Sequence, residues 1–245
     1  MNAILRNTVK REFTACQKTD GVRIIMEEHT INHMPNYNIR HTSDRFFRFC
    51  GILMLISEIW KQYCLTYIVN NGTYNWWYFP FQLCSIPMYV CLLIPFSASS
   101  KIRGVLLAFL MDFGLLGGIF TFFDTTGMHY SYRPLTIHSF AWHILLIIIG
   151  VYAGLCRASD HSLSGFAKCT CLFLACCLAA TSFNLAFHPY GQINMFYISP
   201  YHFMGQIVFR DIAGILGNTA GILIYILSII IGAGLLHLSW KRVTF

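Results

Sequence analysis

Residues 79–87 read FPFQLCSIP and set Gln82, Cys84 and Ser85 close together in an apolar run that continues to Phe96. A later run, SFAWHILL, carries His143, with His138 five residues before it. A thiol alone in hydrocarbon is protonated and inert, whereas a thiol beside an imidazole can form the thiolate–imidazole pair that activates sulfur as a nucleophile. Cys84 and His143 are the residues for that chemistry, and Gln82, Asn184 and Asn194 are amides able to orient the imidazole or donate to an oxyanion. Glu58 and Asp112 add two carboxylates. His138 and His143 with one of these carboxylates are a conceivable metal set, but an i, i+5 spacing does not place both histidines on one helix face. No metal and no other cofactor is expected.

Each of these residues also has a plainer use. Glu58 and Lys61, at i and i+3, can neutralise each other on one helix face. Asp112 can pair with a basic group near a helix break at Gly114, Gly117 and Gly118. His138, His143 and Asn184 can be hydrogen bonders between helices, and the cysteines small packing residues. The ten cysteines contain no CxxC and most fall within apolar spans, which argues against a disulfide framework.

Whether these groups meet depends on the elements that carry them. Of the 245 residues 56% are hydrophobic, 16% aromatic and only 11% charged, against roughly a quarter charged in soluble domains. Six spans have the ~20 apolar residues needed to cross ~30 Å of hydrocarbon: 46–69, 77–96, 102–123, 135–156, 165–187 and 214–238. Six helices apolar all round cannot be buried in a soluble chain of this size. The sequence predicts an all-α polytopic membrane bundle of six transmembrane helices over residues 46–240, behind a polar basic arm at 1–45. That arm has no signal-peptide core.

The formal net charge of +7 is read as topology, with no nucleic-acid partner. Arg133 and Arg210 fall on the far side and Lys61 within a span, while every other Lys and Arg falls on the side of the N-terminus. The positive-inside rule then puts both termini in the cytoplasm. The expected partners are the lipid bilayer and a lipid substrate. The expected location is an integral, multi-pass one, the plasma membrane if the host is bacterial. The fifth loop, HPYGQINMFYISPYHFMGQIVFRD, is too apolar to hang free and is expected to fold back on the bundle.

At ~1.5 Å per residue, Cys84 lies roughly 10 Å and His143 roughly 13 Å below the outer boundary, with Glu58 and Asp112 near the midplane and Asn184 about a turn from the outer end. Groups from five spans thus fall between midplane and outer leaflet, and the inner half is poor in polar groups. A polar chamber opening outward is the expectation.

The order SEIWKQ, FPFQLCSI, LLAFLMDFGLLGGIFTFF, SFAWHILLIIIGVY, SFNLAF and INMFYISP resembles the YwaF-type integral membrane family, related to the transmembrane-protein-164 group. The resemblance spans about residues 46–240, through short motifs whose matching positions are Glu58, Cys84, His143, Asn184, Asn194 and Pro200. It implies a membrane helix bundle. Some members of the wider group are membrane acyltransferases that use a cysteine, which aligns with Cys84, and more distant relatives hydrolyse lipid esters with a hydroxyl nucleophile and a histidine. The chain departs from the motif L-H-L-C-D, with Gln82 in place of its His and Ser85 in place of its Asp. The polar arm also stands where relatives carry one more helix. The reading is a lipid acyltransferase or hydrolase with Cys84 as nucleophile and His143 as base, positioned by Asn184 and Glu58. The alternatives are a small-solute permease with Glu58, Asp112 and His143 along its path, or a membrane assembly protein.

Overall fold

The computed structural model describes residues 41–243, so the polar arm lies outside the described residues as far as position 40. Among the described residues all regular structure is helical, in seven helices. These are α1 (His41–Val69), α2 (Ile86–Leu93), α3 (Ser100–Phe120), α4 (Arg133–Leu155), α5 (Leu163–Phe187), α6 (Phe209–Leu216) and α7 (Asn218–Val243). Five of them, all but α2 and α6, are long and apolar enough to cross a membrane.

The solvent can be read from the outward faces. On α7, Leu223, Leu227, Ile231, Leu235 and Leu238 form an exposed stripe, 51% to 63% uncovered. A surface helix in water would show polar residues there. On α1 the stripe Phe47, Cys50, Met54 and Glu58 is buried, while Ile52, Ile56, Ile59 and Tyr63 face outward. Both faces of the helix are apolar, one toward protein and the other toward lipid.

The axis of the bundle is α3. Leu107 through Phe113 are each 0% exposed, as a helix apolar on every side requires when neighbours surround it. Its middle turn, Leu110–Gly114, is π-helical. Helix α4 lies so close that a Cβ at Gly150 would stand 2.7 Å from the Leu115 Cβ, and one at Gly118 would meet Ile147 at 3.0 Å. On the α5 side Phe173 stacks on Phe113 with ring centroids 4.7 Å apart.

Two expected spans are broken, for different reasons. The helix expected over 77–96 exists only from Ile86. Trp76–Tyr78 is a 3-10 turn, and residues 79–85 are irregular. Pro80 has no N–H to give and disfavours helical geometry at Phe79, whose ψ is 134°. The last expected span, 214–238, is cut at Gly217, where φ is +92°. There α6 ends and α7 begins, so α7 runs Asn218–Val243. The two pack closely, a Cβ at Gly221 falling 2.5 Å from the Ala213 Cβ.

The fifth loop is folded into the bundle, with Ile193, Met195 and Ser199 each at 0% exposure. Irregular backbone at such depth needs partners for its N–H and C=O groups, and side chains supply them. Asn184 Nδ2 donates to Met195 O (3.1 Å) and Asn184 Oδ1 accepts from Met195 N (2.7 Å). Gln82 Nε2 donates to Asn194 O (3.1 Å), and Phe196 N donates to Gln82 Oε1 (2.7 Å). Ser199 N donates to Asn194 Oδ1 (2.9 Å). These bonds hold Phe196 and Tyr197 at φ of 57° and 60°, a region costly for side-chain-bearing residues.

A separate polar tie crosses the other end of the bundle. Asp112 Oδ2 lies 2.9 Å from His237 Nδ1, and His237 Nε2 lies 3.1 Å from Ser162 O. The Ser162 carbonyl only accepts, so Nε2 carries a proton, and a second proton lies between Nδ1 and the carboxyl. Cys169 Sγ also donates to Asp112 Oδ2 (3.6 Å). The tie joins α3, α5 and α7.

Two predictions follow from these bonds. His237→Leu leaves the Asp112 carboxyl buried without its partner and lowers stability by about 3–5 kcal/mol; the pair Asp112→Leu with His237→Leu recovers much of the loss in a thermal-unfolding double-mutant cycle. Asn184→Leu strips both bonds from Met195, at about 1–3 kcal/mol for each polar group left unsatisfied. Amide hydrogen exchange then speeds up across 193–199 while α3 retains its protection.

Candidate functional site

Segment 79–85 ends in a turn that delivers Cys84 to the start of α2, with Ser85 as the N-cap residue. Two bonds fix this segment from neighbouring structure. Tyr89 Oη donates to Pro80 O (2.8 Å), and Trp142 Nε1 of α4 donates to Cys84 O (3.1 Å). The second bond joins the backbone of the cysteine to the residue immediately before His143. Chain positions 58 residues apart are thereby brought together.

Cys84 and His143 both line a cavity of ≈ 1060 Å³ bounded by segment 77–85, α3, α4, the fifth loop and α7. His143 is buried at 7% exposure. Its Nδ1 lies 2.8 Å from Ser139 O of its own helix. A carbonyl cannot donate, so Nδ1 bears the hydrogen and the Nε2 lone pair remains to accept a proton. In that tautomer Nε2 is the nitrogen available to act as a base.

Of the other expected site residues, the structure puts Gln82 and Asn194 on the wall of this cavity. Their side chains are engaged in the backbone bonds described above. Asn184, buried at 0% exposure, is not part of the lining, and its amide is likewise spent on Met195. Glu58 sits off the cavity as well. Lys61 Nζ lies 2.8 Å from Glu58 Oε2, and Gln62 Nε2 donates both to Glu58 Oε1 (2.7 Å) and to Tyr78 O (2.6 Å). Lys61 does reach the lining, with Nζ 5.9 Å from the centre of the Trp142 ring.

Asp112 departs furthest from the expected chamber, since its partners are His237 and Cys169. The half of the bundle expected to be poor in polar groups therefore holds the most buried acid of the described residues' ion pairs. A path along Glu58, Asp112 and His143 does not follow one cavity. His237 escaped the sequence reading, although a lone carboxylate in an apolar span calls for a proton-bearing partner in another span, and His237 is such a group on the last one.

The cavity also contains groups that only the folded chain brings to it. His138 lines it beside His143 and lies between the rings of Trp60 and Trp142, at 5.5 and 5.6 Å. Its Nε2 is buried without a hydrogen-bond partner. From the loops come Asp124, His129, Tyr130, Tyr197, His202 and Gln206. Asp124 accepts from Thr126 N (3.1 Å) and from the Thr126 hydroxyl, and the hydroxyl bond in particular holds its carboxyl below the usual range. Burial pushes the Tyr197 phenol up to about 12, so it remains an O–H donor at neutral pH. Among the described residues no group of three or more His, Cys, Asp or Glu is placed to hold a metal ion.

No curated protein and no solved structure matches the chain. A family model does match, over residues 29–239, and its description is the TMEM164 family. The match takes in the segment of Cys84, the helix of His143 and the loop-clamping residues Gln82, Asn184 and Asn194. With most of its length matched and its long apolar helices built to cross a bilayer, the chain is a multi-pass membrane protein that belongs to the TMEM164 family.

Proposed function

We propose that this protein transfers or hydrolyses the acyl groups of membrane lipids through a covalent intermediate on Cys84. The observation that carries the reading is that Cys84 and His143 line one cavity inside the bundle, with the imidazole held in the tautomer of a base. The family's cysteine-using acyltransferases, to which the motif around Cys84 is similar, support it as well.

In the first half-reaction the Cys84 thiol gives its proton to His143 Nε2, and sulfur attacks the ester carbonyl of a donor lipid. The carbon–oxygen bond breaks, the departing lysolipid oxygen takes the proton back from His143, and the acyl group remains on sulfur as a thioester. In the second half a lysolipid hydroxyl, or water in the hydrolytic case, gives its proton to His143 and attacks that thioester. The carbon–sulfur bond breaks and the thiol takes the proton back. Cys84 stands just before the N-terminus of α2, where the helix dipole favours the negative charge that develops on sulfur; the N–H groups of Ser85, Ile86 and Met88 are engaged with the carbonyls of Gln82 and Ser85. Gln82 and Ser85 leave no carboxylate or imidazole directly flanking the thiol in sequence, so the base comes from α4.

Both termini are read as cytoplasmic, with segment 77–96 as the second of six crossings. The charge pattern supports this, since Lys101, Arg157, Lys168 and Lys241 belong to one end of the bundle and Arg133 to the other.

Two measurements test these readings. In nanodiscs holding an alkyne-tagged phospholipid donor, the wild-type chain should acquire a hydroxylamine-sensitive label on Cys84, Cys84→Ala none, and His143→Ala should label about 10²–10⁴-fold more slowly. Labelling unaffected by either substitution sinks the mechanism. Fluorescent-protein and alkaline-phosphatase fusions at the C-terminus should be fluorescent and inactive, respectively, and the reverse pattern inverts the topology.

A further inference from the structure

Along the cavity the lining changes character. One end is built from loop residues such as Asp124, His129 and His202, and the other from Leu116, Gly117 and Phe120 of α3 facing Ser228, Ile229 and Gly232 of α7. The charged and imidazole groups of the lining come from the loops, α1 and α4, whereas the stretch where α3 faces α7 adds only the hydroxyls of Tyr225 and Ser228 to apolar side chains and glycines. A volume of ≈ 1060 Å³ is at the top of the ~300–1,000 Å³ range of small-molecule pockets. A ligand matching this lining has a polar head and a long apolar tail.

Gly117 distinguishes this end from ordinary helix packing. Its neighbour Gly118 has a steric reason to be glycine, since a Cβ there would lie 3.0 Å from Ile147. A Cβ at Gly117 would meet nothing within 4 Å. Its backbone is helical, so no left-handed φ explains it either. A glycine inside a helix costs about 1 kcal/mol relative to alanine. What Gly117 supplies is empty space on the cavity wall.

We propose that the α3–α7 end of the cavity is a channel for the hydrocarbon chain of a membrane lipid, and that Gly117 and Ser228, from its two walls, set how much chain it admits. The proposal rests on the acyl-transfer reading only in naming the bound chain as the group presented to Cys84. Selection in such a channel is steric. A chain leaving the bilayer exchanges one apolar surrounding for another, so burial itself gives little preference for length. Side-chain bulk is the control that remains.

The test is native mass spectrometry of the full-length protein, released from micelles loaded with equal amounts of didecanoyl and distearoyl phosphatidylcholine. Wild type and Gly117→Ala should retain the stearoyl lipid, because one methyl fits the open space. Gly117→Leu and Ser228→Leu should lower the stearoyl-to-decanoyl ratio by about tenfold. If Gly117→Leu fails to fold, Ser228→Leu from the opposite wall carries the test by itself. Folded leucine variants that retain the wild-type ratio overturn the channel, as does a wild type that retains neither lipid. The two readings fail separately. Length-selective retention without any thioester on Cys84 keeps the channel and removes acyl transfer; thioester formation equally fast for both lengths in every variant does the reverse.

Discussion

Hydrocarbon offers no hydrogen bonds, and the rest of this structure depends on how the chain meets that constraint. Where the backbone is helical it satisfies itself. Where it is not, at residues 79–85 and in the fifth loop, side chains take the place of water. Gln82, Asn184 and Asn194 together serve main-chain groups of Asn194, Met195, Phe196 and Ser199. Tyr89 and Trp142 do the same for the carbonyls of Pro80 and Cys84. The irregular segments are therefore fixed, and fixed backbone can carry a nucleophile at a defined place.

The same constraint divides the polar groups of the bundle into two centres. At one end amides and aromatic residues surround an open cavity with Cys84 and His143 on its wall. At the other, Asp112, His237, Ser162 and Cys169 close on one another around the π-helical turn of α3. The first centre keeps space, and the second spends Asp112 Oδ2, both ring nitrogens of His237 and the Cys169 thiol in joining three helices. Helix α3 separates them, its buried middle packed by glycine contacts on the α4 side and stacked aromatic rings on the α5 side. The distinction between a site and a tie is drawn by space, since both centres hold residue types able to do chemistry.

Glycine serves the two centres in opposite ways. Gly118 and Gly150 let α3 and α4 approach until the next atom would collide, which is how helices associate when lipid is as apolar as they are. Gly117, on the same helix, touches nothing where a side chain would go. One residue type closes an interface in one case and holds a volume open in the other, and the neighbouring backbone decides between them.

From the sequence alone came the all-helical membrane character, the thiol and the imidazole that now share the wall of one cavity, and the inward folding of the fifth loop. Each rests on local composition: apolar length, a lone thiol or imidazole in hydrocarbon, a loop too greasy for water. Tertiary structure decided the rest. Whether 77–96 would continue as a helix depended on partners for the backbone beside Pro80, and those come from other segments. Asn184 and Gln82 were legible as polar groups at depth but not as clamps, because their partners are main-chain atoms that every residue possesses. Asp112 found its mate 125 residues away, and only the packing of α7 against α3 determines that meeting. Residue type limits what a side chain can do, whereas the company it keeps depends on the path of the whole chain.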